Sequence, residues 1–170
     1  MKKSISRYNA AAFARIAVLC AAAAVLSILE GILPDLPVPG AKLGLANLAV
    51  MTALCTDGLK GGFCTAVFKG FFALVTRGPA AAIMSFSGSV LSTLAMWLAI
   101  KYDRGKLGFI GIGITGAVFH NIGQIITAYI IIGDTVRYYV PYLIIAAVFT
   151  GAVTGIVNSI ILPYYLKINN

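Results

Sequence analysis

Three long uncharged runs decide what this chain can become. Residues 78–100, 107–133 and 138–166 contain no Asp, Glu, Lys or Arg. Each exceeds the roughly 20 residues that an α-helix needs to cross a hydrocarbon core about 30 Å thick. A fourth apolar stretch, residues 8–29, is interrupted only by Arg15 near one end. Composition agrees: 60% of residues are hydrophobic and 11% charged, with a mean hydropathy of +0.96. A soluble domain has about 45–50% and about 25%. These values exclude a soluble enzyme, a disordered chain and a secreted disulfide scaffold. They leave an all-α integral membrane protein, read as a single transmembrane domain over residues 1–170.

Residues 43–76 are harder to place. Asp57, Gly58, Lys60, Gly61 and Gly62 divide them into 43–56 and 63–76, and each half makes about 21 Å of helix at ~1.5 Å per residue. A re-entrant hairpin would carry Asp57 and Lys60 deep into the membrane at about 2.5–3.5 kcal/mol each. Two short spans are therefore the better reading, and the expectation is six transmembrane helices. The N-terminal Lys2, Lys3 and Arg7 ahead of an apolar stretch resemble a signal peptide, but residues 10–29 outrun the ~7–15-residue core of one. They read as a retained first span.

With both termini cytoplasmic, Lys2, Lys3, Arg7, Lys60, Lys101, Arg104, Lys106 and Lys167 lie inside, and Lys42, Arg77 and Arg137 outside. That bias orients a multi-pass protein of the cell membrane. It also explains the net charge of +8 without nucleic acid. Residues 30–40, with three prolines, exclude helix and are expected to pack over the outer mouth. Cys20, Cys55 and Cys64 lack CxxC spacing and read as packing residues.

Polar groups inside spans carry the functional signal, because burying them in lipid is costly. Lys69 is the sharpest case. It sits midway along a span and needs a head group, Glu30 or a ligand as partner. His120, Asn121 and Gln124 crowd the middle of another span, with His120 and Gln124 on one helix face. They form either a polar cavity or an interhelical hydrogen-bond network. Glu30, Lys42, Asn47 and Arg77 are expected in the outer half, where cations outnumber Glu30 and favour an anionic or strongly polar ligand. Small residues recur four apart at Ser85, Ser89 and Thr93 and at Gly151 and Gly155, which permits close helix packing. Ala10, Ala14, Ala17 and Ala21 follow a similar spacing and suit a partner helix.

The sequence has no P-loop, no paired carboxylates at metal spacing and no Ser/His/Asp set. No catalysis and no cofactor are expected, and active transport would draw its energy from another subunit.

The run Pro37-Val-Pro-Gly-Ala-Lys-Leu-Gly-Leu-Ala-Asn47 and the later His120-Asn-Ile-Gly-Gln124 resemble the Gx transporter family, also called heptaprenyl diphosphate synthase component I. The resemblance spans nearly the whole chain. It implies kinship with the S components of energy-coupling-factor transporters, six-helix proteins that bind substrate near the outer face. These dock on a transmembrane partner coupled to two ATPases, partly through first-helix alanines that Ala10, Ala14, Ala17 and Ala21 match. The expected function is then a substrate-binding subunit importing a small polar or anionic molecule, energised by a separate ATPase module. The alternative is a non-catalytic scaffold subunit of an isoprenoid-synthesis or flavin-linked electron-transfer complex. Trans-type prenyl synthases hold Mg²⁺ with DDxxD motifs. Asp57, Asp103 and Asp134 each lack an acidic neighbour, so catalysis itself is not expected.

Overall fold

The computed structural model describes residues 2–32, 44–103 and 106–169. Its elements are α1 (Lys2–Ile32), α2 (Asn47–Arg77), α3 (Pro79–Tyr102), α4 (Gly108–Ile132), a 3₁₀ segment (Gly133–Tyr139) and α5 (Val140–Asn169). There is no strand among the described residues. The uncharged runs at 78–100, 107–133 and 138–166 became α3, α4 and α5 with only small shifts at their ends. The expected cover of residues 30–40 over the outer mouth lies largely outside the described residues, as do Lys42 and Arg104.

Four stretches are long and apolar enough to cross a membrane: Ala10–Ile32, Asn47–Arg77, Pro79–Tyr102 and Gly108–Tyr164. That count differs from the six expected helices for two reasons. The last stretch joins α4 and α5 through the short 3₁₀ segment. The second is the divided region 43–76, which forms one continuous element broken only at Gly58 (φ 68°, ψ −162°).

The break at Gly58 reverses the chain. Nζ of Lys69 donates to Oδ1 of Asn47 at 2.7 Å across 22 residues, whereas a straight helix would hold them about 33 Å apart at ~1.5 Å per residue. α2 is therefore a helical hairpin with antiparallel arms, 47–57 and 59–77. Glycine supplies the left-handed turn at little cost. Gly61 and Gly62 then bring the arms together. A Cβ on Gly61 would lie 2.6 Å from Cβ of Asp57 and 2.9 Å from the Ala53 carbonyl oxygen, and one on Gly62 3.1 Å from Cβ of Leu54.

The remaining helices close a bundle around this hairpin. α3 follows through Gly78 (φ 87°), with Pro79 at its first turn, where a missing N–H costs nothing. α3 meets α4 where the Ser87 hydroxyl donates to the Gly123 carbonyl at 3.1 Å and lies 2.7 Å from that of Thr127. α4 crosses α5 on glycine: a Cβ on Gly113 would lie 2.4 Å from the Gly151 carbonyl oxygen. α5 returns to the first arm of α2, where the fully buried Asn158 accepts from Thr52 at 2.8 Å. α1 packs on α2 alone among the described elements.

Burial is inverted relative to a soluble protein. Ser89, Ser92, Thr93 and Asn158 are fully buried, while Phe13, Ile130, Ile145 and Phe149 stand more than two-thirds exposed. Only a lipid surround makes that arrangement favourable: large side chains lose nothing against acyl chains, and polar ones must find partners inside.

Candidate functional site

Two polar centres tie α1 to the hairpin, one at each end. At the hairpin tip, Nη2 of Arg15 lies 2.5 Å from Oδ1 of Asp57, and the Thr56 hydroxyl donates to the other Asp57 oxygen at 2.9 Å. The tip thus carries its carboxylate with a compensating cation, which removes much of the penalty that a hairpin seemed to carry in the sequence.

At the opposite end, Glu30 near the end of α1 holds the turn that leads into α2. Its Oε1 accepts from the backbone N–H of Gly44 and, at 3.3 Å, from that of Leu45. The carboxylate so satisfies two backbone donors that precede the helix. Gly44 has φ +87°. A Cβ there would lie 2.8 Å from Nδ2 of Asn47 and 3.3 Å from Cδ2 of His120, so this glycine lets the α2 turn close onto both side chains.

Asn47, Lys69 and His120 meet at this end. Asn47 starts α2 and accepts from Lys69 on the second arm. His120 comes from α4 and lies against Gly88 of α3, where an added Cβ would stand 2.7 Å from Nδ1. Gly88 also faces Gly123, and this contact sets α3 and α4 close enough to seal the ring in. Gln124 lies one turn along α4 on the His120 face. Ser85 and Ser89 flank Gly88 on α3. Lys69, His120 and Gln124 are all at least 97% buried. Glu30 acts electrostatically on both Lys69 and Arg77, and those two cations act on His120.

The hydrogen bonding of this cluster is incomplete. Nδ2 of Asn47, Oγ of Ser85 and Ser89, Nδ1 of His120 and Oε1 of Gln124 have no hydrogen-bond partner among the described residues. Each such atom costs about 1–3 kcal/mol when buried. Apart from Asn47 on α2, these atoms fall within about one turn of α3 and one turn of α4. Ser27, Ser92 and Asn121 add further unpartnered atoms, though Asn121 already donates to the Leu143 carbonyl at 2.7 Å.

The structure therefore brings together Asn47, Lys69 and His120, with Glu30 and Arg77 acting on them electrostatically. Asn121 turns toward α5, and Lys42 lies outside the described residues. Lys69 bonds to Asn47 and not to Glu30, whose carboxylate holds the backbone of the turn before α2. Ser85 and Ser89, read from sequence as packing residues, are buried with hydroxyls that have no partner among the described residues. Their regular spacing disguised them, because serine at four-residue intervals also serves close helix contact. Asn158 and Thr52 went unnoticed; an amide within an uncharged run was the available signal. Ala10, Ala14, Ala17 and Ala21 all lie on exposed surface of α1. Cys64 is also exposed, contrary to the expected burial of all three thiols.

Among the described residues, an apolar outward groove of about 520 Å³ runs between the turn before α2 and α5 past Leu45, Tyr142, Ile145 and Phe149. Among the described residues no three His, Cys, Asp or Glu side chains gather as metal ligands.

The chain matches the family described as heptaprenyl diphosphate synthase component I over residues 19–161. The match runs from within α1 to within α5 and takes in every residue of the buried cluster. No curated protein and no solved structure matches it. On that match, this membrane chain belongs to the heptaprenyl diphosphate synthase component I family.

Proposed function

We propose that the chain is the non-catalytic membrane subunit of a two-part isoprenoid-synthesis complex. The observation that carries this is the family match across residues 19–161, on a chain built of membrane-length helices. The chain is a subunit, not an enzyme in its own right. A first component implies a second, which supplies the chemistry. The physical rationale lies in the product: each buried CH₂ of a prenyl chain contributes about 0.8 kcal/mol to membrane partition. A subunit that holds a synthase at the bilayer delivers the lengthening chain where it is most stable. The exposed small-residue face of α1, with Ala10, Ala14, Ala17 and Ala21, is the proposed contact for a partner helix.

In this reading the two arms of α2 each cross, giving six transmembrane helices with both termini cytoplasmic. A cysteine placed at Asp103, between α3 and α4, reacts with an impermeant probe only from the cytoplasmic side; reaction from outside reverses the topology. Co-expression with a soluble prenyl synthase subunit tests the function. Recovery of that subunit and its activity in the membrane fraction, dependent on this chain, is expected. A partner that stays soluble and equally active without it overturns the proposal.

A second reading is favoured by the incompletely bonded cluster around Lys69. Here the chain resembles an S component and imports a small polar or anionic molecule, powered by an energy-coupling transmembrane subunit and its ATPases. Lys69, His120, Asn47 and Gln124 contact the ligand, with Glu30, Lys42, Asn121 and Arg77 around them. Uptake dependent on a co-expressed ATPase module supports this reading, and ATPase-independent function removes it. A scaffold role in a flavin-linked electron-transfer complex would instead leave the cluster a purely structural network.

A further inference from the structure

The 3₁₀ segment that joins α4 to α5 carries Arg137, an exposed cation. Its Nη2 donates to the Tyr138 hydroxyl at 3.1 Å, and the guanidinium lies 5.0 Å from the centre of that ring. These contacts steady the group and spend one of its five N–H donors. Among the described residues no carboxylate pairs with it, Asp134 on the same segment included.

Arg137 also lines an apolar groove of about 270 Å³ between α4, the 3₁₀ segment and α5. Ile125, Ile126, Tyr129 and Ile130 form one wall, and Val140 stands on the other. Ile126, Tyr129 and Ile130 are more than half exposed on a stretch of membrane-spanning length, so the groove opens to lipid. Tyr129, Tyr138 and Tyr142 are exposed at the same end of the bundle, and exposed tyrosines mark the head-group level. From Ile132 at the end of α4 back to Ile125 the wall descends about 10 Å at ~1.5 Å per residue. That is most of one leaflet of a core about 30 Å thick. A cation at head-group depth is thus joined to an apolar channel at acyl depth.

A ligand that fits both parts is an anion with a long apolar chain. The chain gains little by entering the groove, because it leaves one apolar surround for another. Selection therefore falls to the head group. A guanidinium matches phosphate oxygens with paired N–H donors, and a lipid with one net negative charge neutralises Arg137 where a zwitterion does not.

We propose that this groove binds one anionic phospholipid, its phosphate on Arg137 and one acyl chain along Ile125, Ile126, Tyr129, Ile130 and Val140. The site is separate from the buried cluster and from the proposed synthase partner.

Native mass spectrometry of the full chain, released from nanodiscs of phosphatidylcholine and phosphatidylglycerol in equal parts, tests this. Melting in that mixture and in phosphatidylcholine alone accompanies it. One retained phosphatidylglycerol is expected, favoured about fivefold over phosphatidylcholine, with a higher melting temperature in the mixture. Arg137→Gln, at an exposed position, removes both the preference and the shift. Lys101→Gln, at the far end of α3, leaves them in place. Ile126→Trp, which fills the groove and keeps every charge, lowers retention of lipid. Equal retention of the two lipids, or a preference that Lys101→Gln weakens as much as Arg137→Gln, overturns the proposal, because bulk charge then explains the effect. Retention unchanged by Ile126→Trp overturns the groove as the seat of the chain. Inorganic phosphate that stabilises the protein in phosphatidylcholine discs as strongly as phosphatidylglycerol does overturns the lipid as occupant.

Discussion

Asn47 and Lys69 stand 22 positions apart in the chain and 2.7 Å apart in space. That one bond spans the open end of the α2 hairpin, opposite the turn at Gly58. Its two ends are unequal. Removing Asn47 leaves a buried ammonium without its acceptor; removing Lys69 leaves only a neutral amide. Asn47→Leu is expected to destabilise by about 1.5–3 kcal/mol, the range for hydrogen bonds to charged groups. Lys69→Met is expected to cost less or to stabilise. Paired thermal melts in nanodiscs check the order, and the reverse order contradicts the geometry.

Gly58 tests the hairpin itself. It lies at φ 68° with open space around its Cα, so a methyl group there meets no neighbour and acts only through backbone strain. Gly58→Ala should cost about 1–3 kcal/mol, because positive φ with ψ −162° is a conformation that essentially only glycine adopts. A neutral or stabilising Gly58→Ala, read by the same melts, would mean that the turn is not left-handed.

At the hairpin tip, Arg15→Gln leaves Asp57 with the Thr56 hydroxyl as its remaining side-chain donor among the described residues. Loss of stability is expected, and the double variant Arg15→Gln/Asp57→Asn should recover the part that comes from stranding the carboxylate. Additive losses in the cycle would show that the pair contributes nothing by interacting.

The α4–α5 crossing depends on absent side chains. A Cβ on Gly155 would lie 2.5 Å from Cα of Ile110, and one on Gly151 2.5 Å from Cα of Ile114. Both obstacles are backbone, so no rotamer change relieves them. Gly155→Val should destabilise by about 3 kcal/mol or more and lower the yield of folded protein. A similar substitution at Gly31, which has nothing within 4 Å, serves as the tolerated comparison in size-exclusion profiles.

Much of the bundle was legible because lipid makes hydropathy nearly a direct readout of helices: α3, α4 and α5 follow uncharged runs. The hairpin was only half legible. All of 57–62 read as a break, since three glycines and two charges gather there. The chain uses Gly58 for the turn and keeps Gly61 and Gly62 helical, where their lack of Cβ admits the opposite arm. Sequence cannot separate these two uses of glycine, because one concerns φ and the other a neighbour distant in sequence. The site was legible where a polar group stood out against apolar residues, as at Lys69 and His120. It was not legible where the group was serine, or where Glu30 proved to hold the backbone of Gly44 and Leu45.

The central claim is that this chain works as a membrane subunit bound to a catalytic partner. Native mass spectrometry of the full chain, gently extracted from membranes that also contain its candidate partners, tests it most directly. A complex whose added mass is a soluble prenyl synthase subunit is expected. A chain that emerges alone, or bound to an ATPase module in place of a synthase, would contradict it.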